Sequence, residues 1–130
     1  MTEKNRDTVL IVDDDDHIRN LLRQTLSGQG YQCREAETSF QTMEELKRDK
    51  ISLVLLDIKI PGKSGVQMIP EIKAGYPDTV AIIATATVDI DTAIQCMKLG
   101  AYDYITKPFT PEELKTIIRD TLKEGEEDTV

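Results

Sequence analysis

Short apolar runs alternate with amphipathic stretches five times along the 130 residues. The runs Thr8–Val12, Gln32–Ala36, Leu53–Leu56, Val80–Ala84 and Tyr102–Thr106 read as strands. The amphipathic stretches predict helices over His17–Gln29, Ser39–Lys50, Gly65–Ala74, Ile90–Leu99 and Pro111–Lys123. No internal repeat or linker interrupts the alternation. Strand and helix in turn imply a parallel sheet covered by helices on both faces, because a parallel crossover needs a helix and lays it against the sheet.

The helix starts are marked by capping residues. Thr38 with Gln41, Ser64 with Gln67 and Thr110 with Glu113 each match the capping-box spacing, and Pro111 stands at the first helical position of the last helix. Gly28, Gly30, Gly75 and Gly100 lie near the expected helix ends, where a left-handed residue is often needed. Strand composition also suggests an order. The first, third and fourth runs are apolar on both faces and belong in the centre, whereas Gln32–Ala36 and Tyr102–Thr106 are mixed and belong at the edges. That arrangement fits the order 2-1-3-4-5, a doubly wound (βα)5 sheet of flavodoxin-like type with its site at the carboxyl ends of the strands.

Composition narrows the setting. The length suits one domain with its own core, and 39% hydrophobic against 31% charged residues is the balance of a globular protein. The domain is expected over residues 8–123, with residues 1–7 as an extension and 124–130 as a frayed tail that has no apolar face. A formal charge of -8 argues against direct binding to nucleic acid or to an anionic membrane. No run approaches a membrane span and no apolar leader is visible, so a cytoplasmic protein is expected. The two cysteines, Cys33 and Cys96, have no metal-like spacing and read as reduced packing residues.

Chemistry gathers where the strands end. Ile51–Leu56 runs into Asp57, Val9–Val12 runs into Asp13-Asp14-Asp15-Asp16, and Tyr104–Thr106 runs into Lys107-Pro108. Like charges at close range repel and resist ionising together, so a carboxylate cluster at buried strand ends calls for a cation among it. With strands ~4.8 Å apart, the fifth strand lies about 10 Å from the third, within most of the reach of a lysine stem. Asp13, Asp14, Asp57, Thr85 and Lys107 are therefore expected to converge. Such an oxygen-rich set suits a hard cation such as Mg²⁺, with the Thr85 hydroxyl and Lys107 ammonium as donors to phosphoryl oxygens. There is no Gly-rich phosphate loop after the first strand. The single histidine, His17, opens a helix and supports neither a histidine metal site nor a triad.

Several of these residues also have plainer readings. Asp15 and Asp16 suit a helix N-terminus, favoured by its dipole, and His17 a surface or capping position. Lys107 and Thr85 carry no signal alone and gain one only from their placement. Tyr102 and Tyr104 lie two apart on one strand, for which packing on a shared face is the default.

Taken together, Val12-Asp13-Asp14, Leu55 through Gly65 with Asp57 and Pro61, Ala84-Thr85-Ala86 and Lys107-Pro108-Phe109 resemble the receiver domain of bacterial two-component response regulators, a CheY-like domain. The resemblance covers about Thr8 to Leu122. It implies that Asp57 is a phosphoacceptor, forming an acyl phosphate by nucleophilic attack of its carboxylate. It implies Mg²⁺ held by Asp14, Asp57 and the backbone carbonyl of Lys59, with Asp13 acting through water. Lys107 would pair with Asp57 at rest and with the phosphoryl group afterwards, across a cis Lys107–Pro108 bond. Thr85 would swing onto the phosphoryl oxygen and Tyr104 would follow it inward, while small Ala86 leaves room. Ile60 replaces a common methionine, and Lys59 and Thr87 occupy positions that tune phosphoryl lifetime.

The implied partners are a sensor histidine kinase, docking near Ile18 and Leu21, and an output domain or protein. That output would be controlled through the fourth helix, fifth strand and fifth helix, with Lys98, Tyr104 and Glu113 on the surface. A phosphorylation-dependent homodimer is a further option. Output is expected from outside this stretch, since no DNA-binding or ATPase segment is visible; the chain reads as a free-standing receiver or a piece of a larger regulator. The competing reading is a Mg²⁺-dependent phosphatase-like enzyme with an aspartyl nucleophile. Such enzymes usually carry a second aspartate two residues on, where this chain has Lys59. A signalling acceptor, and not a turnover enzyme, is the expected function.

Overall fold

In the computed structural model, residues 7–86 and 90–127 are described, with side chains as far as 123. Five strands alternate with five helices: β1 (Thr8–Val12), α1 (Asp16–Ser27), β2 (Gln32–Ala36), α2 (Ser39–Arg48), β3 (Leu53–Leu56), α3 (Gly65–Gly75), β4 (Val80–Thr85), α4 (Ile90–Leu99), β5 (Asp103–Thr106) and α5 (Pro111–Glu127). The strands form one parallel sheet in the order β2-β1-β3-β4-β5. The expected order therefore holds, and so does the reason for it. Every residue of β1 and β3 is buried, whereas β2 and β5 are only partly covered.

Alternation along each strand divides the core into two layers. Leu10, Val12, Val54, Leu56 and Ile83 pack on one face with Leu46 of α2, Met68, Ile69 and Ile72 of α3 and Cys96 of α4. Val9, Ile11, Leu53, Leu55, Ile82 and Ala84 pack on the other with Leu22 and Leu26 of α1 and Leu114 and Ile118 of α5. Both cysteines are free, Cys96 in the core and Cys33 half-buried. Among the described residues, no helix is long and apolar enough to cross a membrane.

Helix ends differ from the sequence pattern in informative ways. α1 begins at Asp16 because the Asp15 carboxylate caps it, accepting the N–H groups of His17 at 2.9 Å and Ile18 at 3.2 Å. The boxes at Ser64/Gln67 and Thr110/Glu113 are reciprocal. At α2 the Gln41 side chain instead accepts the N–H of Glu37, one residue earlier than the box requires. Gly30 and Gly100 are left-handed, but Gly28 is right-handed and Gly75 remains inside α3. The third left-handed glycine, Gly62, lies in the loop after β3. α5 continues past Lys123 to Glu127, into the stretch expected to fray, because the glutamates there favour helix and one interior glycine costs only about 1 kcal/mol. Tyr102 precedes β5 and is 43% exposed, and Tyr104 is 40% exposed, so neither belongs to the core. The tuning position Thr87 lies outside the described residues.

Candidate functional site

The chemically active side chains sit one residue beyond the strands, on backbone that the sheet still holds. The N–H of Asp13 donates to Ala36 O at 3.1 Å, that of Asp57 to Val12 O at 3.0 Å, and that of Lys107 to Thr85 O at 2.9 Å. Each bond extends a ladder by one step, so the side chains project from fixed positions and not from free loops. Gly65 adds a further constraint. A Cβ there would lie 2.8 Å from both the Asp57 carbonyl oxygen and the Ile58 Cα, so only glycine lets α3 start against the end of β3.

The two inner carboxylates are held in the same way. Asp13 Oδ1 accepts the N–H of Asp15 at 2.9 Å, and Asp57 Oδ1 accepts that of Lys59 at 3.1 Å. The remaining oxygen of each faces Lys107, whose Nζ donates to Asp57 Oδ2 at 3.0 Å and also to Asp13 Oδ2. Lys107 therefore bridges both acids, not Asp57 alone. Burial by itself would lower the affinity of this ammonium for its proton. The hydrogen bonds and negative charges of Asp13 and Asp57 outweigh it, so the Lys107 pKa lies above the ordinary lysine value. The Lys107–Pro108 bond is cis.

Asp14 completes the cluster. Carboxylate oxygens of Asp13, Asp14 and Asp57 all lie within 4.8 Å of one another, Asp13 buried and Asp14 exposed. An all-oxygen set with one face open to solvent fits a hard divalent cation that retains water. Thr85 closes β4, 6% exposed and in register with Thr106, beside the base of Lys107. Ala86 follows it in an exposed bend. Tyr104 stands apart on the outer strand, in register with Ile83. Lys59 is exposed, and its amide is the part of it that meets Asp57. His17 serves the α1 N-terminus.

Sequence reasoning missed Arg19. Its guanidinium donates to the Asp13 backbone carbonyl at 2.7 Å and to Glu35 Oε1 at 3.0 Å, and it pairs with Asp16. The three-residue spacing from Asp16 was a readable hint of a helical ion pair, but the other two contacts require β2 beside β1. Ser39 was also missed. Its Oγ accepts the N–H of Lys63 at 3.0 Å and its own N–H donates to Pro61 O at 3.1 Å, tying the loop after Asp57 to α2.

Comparison with known proteins agrees with this geometry. The response regulator receiver domain family matches residues 9–119. The DNA-binding transcriptional regulator NtrC of Escherichia coli K12 is 34% identical over 122 residues, which are 94% of this chain and 26% of that protein. The chain thus spans about a quarter of the length of that relative. The crystal structure of a CheY-like response regulator receiver domain protein from Methanospirillum hungatei superposes with a TM-score of 0.91 at 28% identity, covering 95% of this chain and 99% of that one. The solution structure of the beryllofluoride-activated NtrC4 receiver domain dimer superposes at 0.86 with 33% identity, covering 90% of this chain and 97% of that one. With the carboxyl-end site, the strand order and the family match in agreement, the chain belongs to the response regulator receiver domain family.

Proposed function

We propose that residues 8–123 take a phosphoryl group from a sensor histidine kinase onto Asp57 and pass the change to an output domain or protein. The observation that carries this reading is the gathering of Asp13, Asp14 and Asp57 within 4.8 Å, with the half-buried Lys107 paired to Asp13 and Asp57. The chemistry is group transfer: a P–O bond to the Asp57 carboxylate forms as the P–N bond of a phosphohistidine breaks, and the leaving imidazole takes a proton from water. Asp14, Asp57 and the Lys59 carbonyl would hold Mg²⁺ directly and Asp13 through water. When bound, the cation supplies positive charge to the phosphoryl oxygens.

The chain's own residues do the rest. Lys107 keeps the Asp57 carboxylate paired and oriented before transfer, then exchanges that partner for a phosphoryl oxygen. The Lys59 amide steadies the other carboxylate oxygen. Thr85 supplies a hydroxyl for the new charge, and Tyr104, exposed at rest, follows it inward. That movement changes a surface made by α4, β5 and α5, where Lys98, Tyr104 and Glu113 meet the output partner. A phosphorylation-dependent homodimer is consistent with the activated dimer of NtrC4. Exposed Leu21, with Ile18 beside it, marks the kinase-facing start of α1. An aspartyl-nucleophile hydrolase is not supported, because Lys59 stands where such an enzyme places its acid/base carboxylate.

The test is intact mass after incubation with Mg²⁺ and a small phosphodonor. One added phosphoryl group is expected on the wild type and none on Asp57→Ala. A gain that survives Asp57→Ala, or sustained turnover of the donor, would overturn the reading.

A further inference from the structure

We propose that Arg19 is a positioning residue for the acidic cluster, acting on the cation site through the backbone carbonyl of Asp13. The inference rests on reading Asp13, Asp14 and Asp57 as a divalent-cation site. Arg19 lies in the first turns of α1 with its side chain 11% exposed. Nη1 donates to Asp13 O at 2.7 Å, Nε to Glu35 Oε1 at 3.0 Å, and Nη2 to Asp16 Oδ1. One rigid fork thus joins the end of β1, the neighbouring strand β2 and the start of α1. A lysine, a point charge on a flexible stem, cannot span three such acceptors in one geometry.

The carbonyl it holds belongs to the peptide that joins Asp13 to Asp14. Because that peptide is planar, fixing its oxygen fixes the direction in which the chain enters Asp14. The Asp13 carboxylate is already held by the Asp15 amide and Lys107. Asp14 is the exposed member of the cluster, and the peptide plane sets the direction from which its side chain leaves the backbone.

Charge and position predict opposite signs, which makes the inference decidable. A cation near the cluster repels a second cation, so removing the Arg19 charge alone should tighten Mg²⁺ binding. Removing a group that orients the ligand should weaken it. Arg23 serves as the charge control. It pairs with the same Glu35, at 2.8 Å from Oε2, and with Asn20, and so lacks the Asp13 contact.

The experiment is calorimetric titration of Mg²⁺ into wild type, Arg19→Met, Arg19→Lys and Arg23→Met, each first shown to be folded by circular dichroism and thermal unfolding. Arg19→Met is expected to raise the Mg²⁺ Kd about tenfold, the low end for loss of a group that orients a metal ligand. Arg19→Lys, which keeps the charge and loses the fork, should weaken binding similarly, and carries the test if Arg19→Met does not fold. Arg23→Met should bind as wild type does or slightly tighter. Equal or tighter binding in the folded Arg19 variants would overturn the inference, as would equal weakening in Arg23→Met. Wild type that fails to bind Mg²⁺ would overturn the cation-site reading itself, which separates the two failures. Amide exchange at Asp14 and Asp15 without Mg²⁺ should quicken in the Arg19 variants and not in Arg23→Met.

Discussion

The two edges of the sheet are built differently. At the β2 edge, ion pairs stitch strand to helix: Arg19 and Arg23 of α1 share Glu35, while Arg34 reaches Glu45 and Asp49 at the far end of α2. At the β5 edge the packing is thin. α4 buries Cys96 and leaves Ile90, Ile94 and Met97 exposed, and Tyr102, just before β5, and Tyr104, within it, are exposed as well. An open groove of about 1010 Å³ separates β5 from α5 and is lined in part by Asp103, Glu112, Glu113 and Asp120. The firm edge backs Asp13, whose backbone carbonyl Arg19 holds. The thin edge is the part of the sheet that can be rearranged at low cost, since few buried contacts must be given up. Lys107 connects the two regimes, rooted at the end of β5 and reaching the carboxylates of β1 and β3.

The largest effect should therefore come from cutting that connection. Lys107→Met keeps most of the stem but leaves Asp13 and Asp57 facing each other without a cation, and is expected to cost about 3 kcal/mol in urea unfolding without Mg²⁺. Adding Mg²⁺ should recover part of the loss, because a metal ion can replace the ammonium as counter-charge. A variant as stable as wild type without Mg²⁺ would show that the acids do not need Lys107.

Next comes the firm edge itself. Glu35→Ala removes the carboxylate shared by Arg19 and Arg23. Because these groups are partly exposed and screened, the expected loss is only about 1 kcal/mol by the same measurement. On the thin edge, Ile94→Ser and Met97→Gln should change stability by less than about 0.5 kcal/mol, as for exposed positions generally. Losses above that in either would mean that α4 is packed more firmly than its exposure indicates.

Much of this contrast is legible in the amino-acid sequence alone. β1, β3 and β4 stand out because a strand buried on both faces must be apolar throughout, and the mixed composition of Gln32–Ala36 and Tyr102–Thr106 marks the edges correctly. The pattern places α4 to the residue, and the convergence of Asp13, Asp14, Asp57 and Lys107 follows from strand order alone. What is not legible depends on relations across the fold. The second partner of Lys107, the fork of Arg19 and the need for glycine at Gly65 each join positions far apart in sequence or in separate elements, where local pattern carries no information. Gly28 and Gly75 mislead for the opposite reason: a glycine permits a left-handed turn without requiring one. Tyr104 has two readings in sequence, packing on an edge strand or a surface position, and its exposure agrees with the second.

The two cysteines offer the finest comparison, one at each edge. Cys33, on β2, is half-buried and receives a hydrogen bond from Ser27 Oγ at 3.7 Å, whereas Cys96, on α4, is fully buried. Burial raises the pKa of both thiols, opposed at Cys33 by the Ser27 hydrogen bond and the charge of Arg23. A folded state that keeps its thiol protons above the ordinary thiol pKa is favoured in full below that value, and loses the advantage as pH rises through the raised one. Alkylation by iodoacetamide needs the thiolate, so at about pH 8 both residues should react slowly and both should quicken as pH increases. A static reading makes Cys33 the faster of the two. The state of the acceptor site should separate them in a second way: Mg²⁺ with a phosphodonor is expected to change the Cys96 rate, because α4 belongs to the thin edge, and to leave Cys33 unchanged. If both rates moved together, or if Cys33 alone responded, the ion-paired edge would be the mobile one and the division between a fixed and an adjustable side of the sheet would fail.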